Sequence, residues 1–181
     1  DKSKRLRDYR VMAQYAEVSD ALDEICDDAI VLDDNGDAIK IKFKKDNYNI
    51  NIQNEIRDEF RKFSKHYELD VRGWEYIRSL LVDGEVYFEH IIHRDHKKAG
   101  ILGIMQIPSD LMDPIYDNVQ NQLVKGFILR KPQMEKKDSK SGNSQMQSAV
   151  DATKPELVPF DKNQVTYLHS GIWNETKNLR L

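Results

Sequence analysis

Apolar side chains recur at helical spacing in the first part of the chain. Over residues 4–31 this periodicity predicts helix. Ser19 is a suitable N-cap, and Asp20 after it suits the positive end of the helix dipole, so a separate helix can begin there. Cys26 falls on the apolar side of the pattern and is interpreted as a small core residue.

Two further helices are predicted over residues 54–66 and 71–82, and their apolar stripes indicate that they pack as a pair. Asp70 is the expected N-cap of the second helix. Gly84 stands where that helix should end, because glycine readily adopts the left-handed conformation of a helix C-terminus. Trp74 lies in the stripe and is interpreted as a core residue.

A different periodicity separates these helices. Residues 38–43 alternate isoleucine or phenylalanine with lysine, and residues 48–52 alternate likewise. Alternation of this kind predicts strands with one solvated face. The preceding Asn35-Gly36 pair is a strong signal for a tight turn. We therefore expect strand structure at this point.

The pattern of the second half of the chain predicts further strands. Residues 85–92 carry apolar side chains on both faces, which indicates a strand buried within a sheet. Residues 101–107 are its expected antiparallel partner. A turn is expected at residues 159–163, and additional strands are predicted at 112–116, 123–129 and 165–169. The fold class is therefore α+β, with N-terminal helices, a helix pair and a mostly antiparallel sheet with hairpins.

Composition changes after residue 130. Gln, Ser, Lys, Asp and Gly dominate residues 131–155, which predicts a flexible, variable loop. We therefore divide the chain into helices and sheet over residues 1–130, this loop, and residues 156–181 as a returning strand of the same domain. The sequence begins with Asp1, and we expect it to be a piece of a longer protein that continues downstream.

Charge and cysteine content exclude several classes of protein. The formal net charge is −3, so a strong basic field for nucleic acid is absent. With one cysteine, the chain can form neither an internal disulfide nor a cysteine-based zinc site. No apolar run approaches the roughly 18 residues of a membrane span.

Two charged surfaces of opposite sign are candidates for contact with a partner. Acidic side chains line one face of the first helical region, including Asp20, Asp23 and Asp27. Lys40 and Lys42 belong to a basic stripe on the predicted strand. Each surface can be a solvated face, and lysines also discourage edge-to-edge pairing of strands. The alternatives are an acidic surface that faces a partner subunit and a phosphate-facing strand.

The sequence offers few candidate catalytic or metal-binding groups. His90, His93 and His96 recur every third residue near Glu89 and Asp95, which is the one arrangement that could suit a metal-dependent hydrolase. The segment that begins at Asp33 resembles a calcium loop, but Ala38 and Lys44 replace the required glycine and glutamate. Nucleophile elbows, phosphate loops and dinucleotide fingerprints are absent. We predict no catalytic residue, cofactor or metal.

A series of short segments stands out in a fixed order along the chain: YR at residues 9–10, YAEVSDA at 15–21, EICDDAIV at 24–31, WEY at 74–76, VDG at 82–84, VYFEHII at 86–92, GI at 100–101 and VTYLHSG at 165–171. In this order the segments resemble the portal proteins of contractile-tailed phages of the T-even type. Together they span nearly the whole chain. Residues 131–155 depart from the pattern.

The resemblance implies a structural protein of the virion and no enzyme. It implies a homododecameric ring at the capsid vertex, with this chain in the peripheral wing. The implied partners are the major capsid protein, the packaging terminase motor, neck and tail proteins, and double-stranded DNA in the channel. Asp20, Asp23, Asp27, Lys40 and Lys42 are then candidates for contacts between subunits.

Other functions remain open at this stage. A neck adaptor protein would also form a ring, but it would lack the long helices expected downstream in a portal. A metal-dependent hydrolase would use the segment from His90 to His96. A stand-alone nucleic-acid binder is disfavoured by the net charge of −3.

Overall fold

The fold is that of a computed structural model, which describes residues 1–44, 49–96, 98, 100–116, 124–131, 156–171, 173–174 and 179–180. Within these ranges the helices are α1 Lys2–Met12, α2 Ala16–Ala29, α3 Ile50–Tyr67 and α4 Leu69–Asp83. The strands are β1 Glu85–Ile92, β2 Ile101–Ile107, β3 Met112–Tyr116, β4 Val124–Lys131, β5 Glu156–Asp161, β6 Val165–His169, β7 Trp173–Asn174 and β8 Leu179–Arg180. The predicted α+β class is confirmed.

The N-terminal helical region is interrupted, but not at the predicted residue. The break falls between α1 and α2, and Tyr15 is the N-cap of α2 without a capping side-chain hydrogen bond. Ser19 lies inside α2, where its hydroxyl accepts a hydrogen bond from Arg78 Nη2 at 3.1 Å. The expected start at Ser19 is therefore wrong, because its hydroxyl serves a contact between helices.

The segment between α2 and α3 contains the predicted turn but not the predicted strands. Gly36 has a φ of 84°, and its amide donates to the Asp33 carbonyl at 2.9 Å. Residues 38–43 have no strand partner within the described part of the chain, so the strand prediction is wrong there. Residues 50–52 form the first turn of α3. Asn49 makes this possible, since its Oδ1 accepts from the Asn51 amide at 3.1 Å.

The helix pair is confirmed with shifted boundaries. Glu68 joins α3 to α4 in the left-handed conformation, with φ 48°. Asp70 is therefore inside α4 and not its N-cap; its Oδ1 accepts instead from the Ala38 amide at 2.8 Å. Gly84 ends α4 with a φ of 76°, as predicted.

Two three-stranded antiparallel sheets follow, with strand orders β2-β1-β6 and β3-β4-β5. The predicted pairing of β1 with β2 is confirmed. Pro159 lies within β5 and not in the expected turn, since β5 is an edge strand and tolerates a missing amide donor. Pro114 in the opposite edge strand, β3, follows the same rule. Residues 132–155, most of the predicted loop, lie outside the described residues.

Strand β1 is buried on both faces, as its apolar pattern predicts. On one face Tyr87 packs with residues from both sheets, among them Met112 and Phe127. On the other, Val86 and Phe88 pack against the helices through Tyr67 and Tyr76. The central strand therefore joins the helical layer to the second sheet, and α3 and α4 are held by this core.

Candidate interaction surfaces

The side of α2 that faces α4, which we call its inner side, is held to α4 by polar contacts. Asp23 Oδ1 accepts from Arg78 Nε at 2.9 Å, and Asp27 Oδ1 accepts from Trp74 Nε1 at 2.8 Å. Cys26 lies between them along the helix and is fully buried, which agrees with its interpretation as a core residue. Burial is also the main cause that raises the pKa of its thiol. Of the three predicted acidic contact residues, the structure therefore engages Asp23 and Asp27 within the chain.

The opposite side of α2, which we call its outer side, carries exposed carboxylates. Asp20, Glu24 and Asp28 are exposed and lie four residues apart, so they form a line along the helix, which we call the acidic row. None of the three has an ion-pair partner in the described part of the chain. The helix contains no lysine or arginine. The carboxylates of the acidic row are thus uncompensated within the described residues.

The lysine stripe keeps its predicted exposure without forming a strand. Lys40 and Lys42 are exposed. Ile41, which lies between them, and Phe43, which follows Lys42, are half-buried. Lys40 forms an ion pair with Asp33. The guanidinium of Arg57 in α3 lies over the ring of Phe43, 5.1 Å from its centroid. The apolar side of the stripe therefore faces α3 and its lysines face outward.

Helix α3 adds a second set of cations that the sequence reasoning missed. Arg57, Arg61 and Lys65 are spaced by four residues, and we call them the basic row. Together with Lys40 they line a groove of about 630 Å³, which we call the α3 groove. The spacing of the row was visible in the sequence. Its proximity to Lys40 was not, because it depends on the path of residues 37–41.

The α3 groove also exposes apolar side chains. Val71 at its α4 end is 81% exposed and Ile39 is 45% exposed, and Phe60 lies between the residues of the basic row. Three carboxylates, Asp37, Glu68 and Asp70, also line the groove, and Asp70 Oδ1 is occupied by the Ala38 amide. The groove therefore combines apolar side chains with a border in which the four cations outnumber the carboxylates, which suits an acidic amphipathic partner.

His90, the first of the three candidate histidines, is held by hydrogen bonds within the fold. His90 Nδ1 lies 3.1 Å from the Asn163 carbonyl oxygen, so this nitrogen must carry the proton and donate. Nε2 then accepts from the Thr166 hydroxyl at 2.7 Å, and Thr166 accepts from the Tyr67 hydroxyl at 2.8 Å. Both ring nitrogens are thereby used in joining β1, β6 and α3.

The remaining candidates do not converge with His90 on a common point. His93 Nδ1 accepts from the amides of Asp95 and His96 at 3.1 and 3.2 Å, which closes a local turn. In the calcium-like segment, Asp33 Oδ1 accepts from the amides of Asn35 and Asp37. Among the described residues, no three His, Cys, Asp or Glu side chains are grouped as a metal site requires. The contacts of these candidates are local ones within the fold, and over the described residues they do not support the hydrolase alternative.

The described helices include none that is long and apolar enough to cross a membrane.

Comparison with known proteins assigns the family. The model of the family described as "Bacteriophage T4-like portal protein (Gp20)" matches residues 2–181. The chain is 25% identical over 169 residues to the portal protein of Vibrio phage KVP40, a match that covers 92% of this chain and 32% of that protein. It is 22% identical over 178 residues to the portal protein of Salmonella phage ViI, covering 92% of this chain and 31% of that protein.

The chain thus spans about a third of the length of the curated relatives it matches. The family match, in contrast, covers nearly all of the chain. This chain belongs to the T4-like portal protein family, a family of structural proteins of bacteriophage virions.

Proposed function

We propose that the chain is the wing part of a portal subunit that forms a dodecameric ring at one vertex of the capsid. In this proposal the ring serves head assembly, DNA packaging, DNA ejection and tail attachment. The observation that carries it is the family match over residues 2–181. The partners are further copies of the subunit, the major capsid protein, the packaging terminase and the neck and tail proteins. Double-stranded DNA passes through the channel without sequence-specific contact.

The domain organisation supports one wing module. Strand β6 pairs with β1, and β5 pairs with β4, so residues after 155 return to both sheets formed earlier in the chain. The described residues before 132 and those from 156 to 171 therefore share one framework. The variable loop over residues 131–155 stays a prediction, because residues 132–155 lie outside the described part of the chain.

Contacts between neighbouring subunits form part of the proposal. A closed ring uses two different surfaces of each subunit. Lys40 and Lys42 on one side, and the acidic face of α2 on the other, provide opposite charge. Asp20 is exposed on that face, whereas Asp23 and Asp27 also hold α2 to α4 and would contribute to a neighbour contact through their charge alone. Charges at the border of an interface set its orientation and rate of association more than its affinity.

The two alternatives have less support. A neck adaptor protein would have to match the same family model as this chain, whereas both named relatives are portal proteins. A hydrolase would need His90 as a metal ligand, but both of its ring nitrogens have partners within the fold.

Labelling of assembled heads tests the location. An antibody against an exposed part of the full-length protein, bound to gold, should mark a single vertex of partly assembled heads in electron micrographs. Gold on all vertices, or heads that never carry the protein, would contradict the portal proposal.

A further inference from the structure

We infer that α2 of one subunit docks by its outer side into the α3 groove of the next subunit. The inference rests on the proposed ring and specifies which surfaces meet in it. It assigns the contact to the acidic row, whose carboxylates have no ion-pair partner among the described residues, and to the basic row that lines the α3 groove.

The acidic row would be stabilised by positive charge placed beside it. Like charges four residues apart repel each other along a helix. Asp28 adds to this, because it lies in the last turn of α2, where the helix dipole is negative and no basic side chain is present. A cationic surface placed against α2 would remove both unfavourable interactions.

The outer side of α2 also has an apolar part. Ile25 is 50% exposed, and it lies next to the acidic row with Ala21 and Ala29 one turn before and after it. Alanines at these two positions leave room for another element to approach Ile25. An isoleucine flanked by small residues and bordered by carboxylates is the pattern of a helix that docks into an apolar groove with a basic border.

The α3 groove matches this pattern in spacing as well as in charge. The acidic row and the basic row each place charges at intervals of four residues, about 6 Å along a helix. Both rows therefore present three charges over about 12 Å, so that successive pairs can form together. Exposed Val71 and Ile39 in the groove offer an apolar surface for Ile25.

The two surfaces share no residue, which leaves both available on every subunit. The inner side of α2 remains fixed to α4 through Asp23 and Asp27, so docking needs no rearrangement of the subunit. A surface and its complement on the same chain give a head-to-tail contact that can repeat around a closed ring. The occupant of the groove is therefore a second copy of this chain.

Charge reversal in the full-length portal protein tests the inference. One variant carries Glu24→Lys and Asp28→Lys on α2, and a second carries Arg61→Glu and Lys65→Glu on α3. All four side chains are exposed, so the fold should be retained, which circular dichroism of each variant checks. The matched control is Lys98→Glu with Lys162→Glu, two exposed cations outside both surfaces.

Negative-stain microscopy and analytical ultracentrifugation then count the rings. Each folded charge-reversal variant alone should lose its rings, since every contact in it becomes repulsive, whereas the control should keep them. An equal mixture of the two variants should recover rings, because alternating subunits restore opposite charges at every contact. Recovery in the mixture shows that the contact joins different chains.

Two results would overturn the inference. Rings of normal abundance from either variant alone would show that these charges do not face a neighbour. Loss of rings in both variants without recovery in the mixture would show that the two rows do not meet. The portal proposal itself is judged on the wild-type protein, whose failure to form any ring would contradict that proposal and not merely this contact.

Discussion

Arg10 in α1 binds Asp83, the last residue of α4, with two parallel hydrogen bonds. Nε lies 3.0 Å from Oδ1 and Nη2 lies 2.7 Å from Oδ2. Nη2 also donates to Asp110 Oδ1 at 3.2 Å, in the turn that leads into β3. The hydrogen bond to Asp83 is the main cause that raises the pKa of Arg10 above its ordinary value. One side chain thus joins the first helix, the helix pair and the start of the second sheet.

Substitution Arg10→Ala should lower the free energy of unfolding by about 2 kcal/mol, because the Asp83 side chain is only 10% exposed and would lose a charged hydrogen-bond partner. Urea unfolding followed by circular dichroism measures the change. The control is Lys62→Ala, whose ion pair with Glu59 is 65% and 71% exposed and should contribute much less to stability. Equal effects of the two substitutions would contradict the role given to Arg10.

Gly126 allows β4 and β5 to approach closely. A Cβ at this position would lie 2.7 Å from the carbonyl oxygen of Phe160, a backbone atom that cannot rotate away. Gly126→Ala should therefore lower the free energy of unfolding by about 1–3 kcal/mol. Gly103→Ala is the matched control in β2, since nothing lies within 4 Å of its Cβ position. A smaller loss at Gly126 than at Gly103 would show that the sheet adjusts without cost.

The hydroxyl of Thr166 connects Tyr67 with His90. Thr166→Val would leave His90 Nε2 and the Tyr67 hydroxyl without this partner and should cost about 1–3 kcal/mol of stability. Thr166→Ser keeps the hydroxyl and should be clearly more stable than the valine variant, although valine preserves the shape of threonine. Thermal unfolding of both variants gives the comparison; the reverse order of stability would exclude the hydrogen-bonded chain as a stabilising feature.

Tyr87 should make the free energy of unfolding depend on pH in the alkaline range. Its burial, followed by the nearby charge of Glu85, raises the pKa of its hydroxyl well above the ordinary value. The unfolded chain ionises this tyrosine near about pH 10, whereas the folded chain keeps it protonated. Stability is therefore fully present below that pH and falls above it, by about 1.4 kcal/mol per pH unit from this residue.

Tyr87→Phe removes this contribution. Urea unfolding at several pH values above about 10 should show a shallower decline for the variant than for the wild type. The remaining tyrosines are common to both proteins and cancel in the comparison. Identical slopes would mean that the Tyr87 hydroxyl ionises as readily in the folded protein as in the unfolded chain.

Sequence periodicity predicted the elements whose pattern agrees with their contacts. Strand β1 carries apolar residues on both faces because one face packs on helices and the other on the second sheet. Strand β6 was placed correctly, and the end of α4 was predicted from Gly84, which only needs a local conformation. Local signals of this kind are visible in a single sequence.

Long-range contacts decided the cases where periodicity failed. The alternation of residues 38–43 separates the exposed lysines from half-buried Ile41 and Phe43, although Ile39 is exposed, and strand formation requires a partner. That segment is instead tied to α4 by the hydrogen bond from Ala38 to Asp70. The same contacts bring Lys40 beside the basic row and thereby create the α3 groove, which no local pattern predicts.

Electron microscopy of the purified full-length protein tests the proposed portal role. Class averages viewed along the ring axis show the rotational symmetry and any central channel. The portal role predicts closed rings of twelvefold symmetry with a central channel, in which this chain forms the outer part. A monomer, or a small oligomer without a channel, would contradict it.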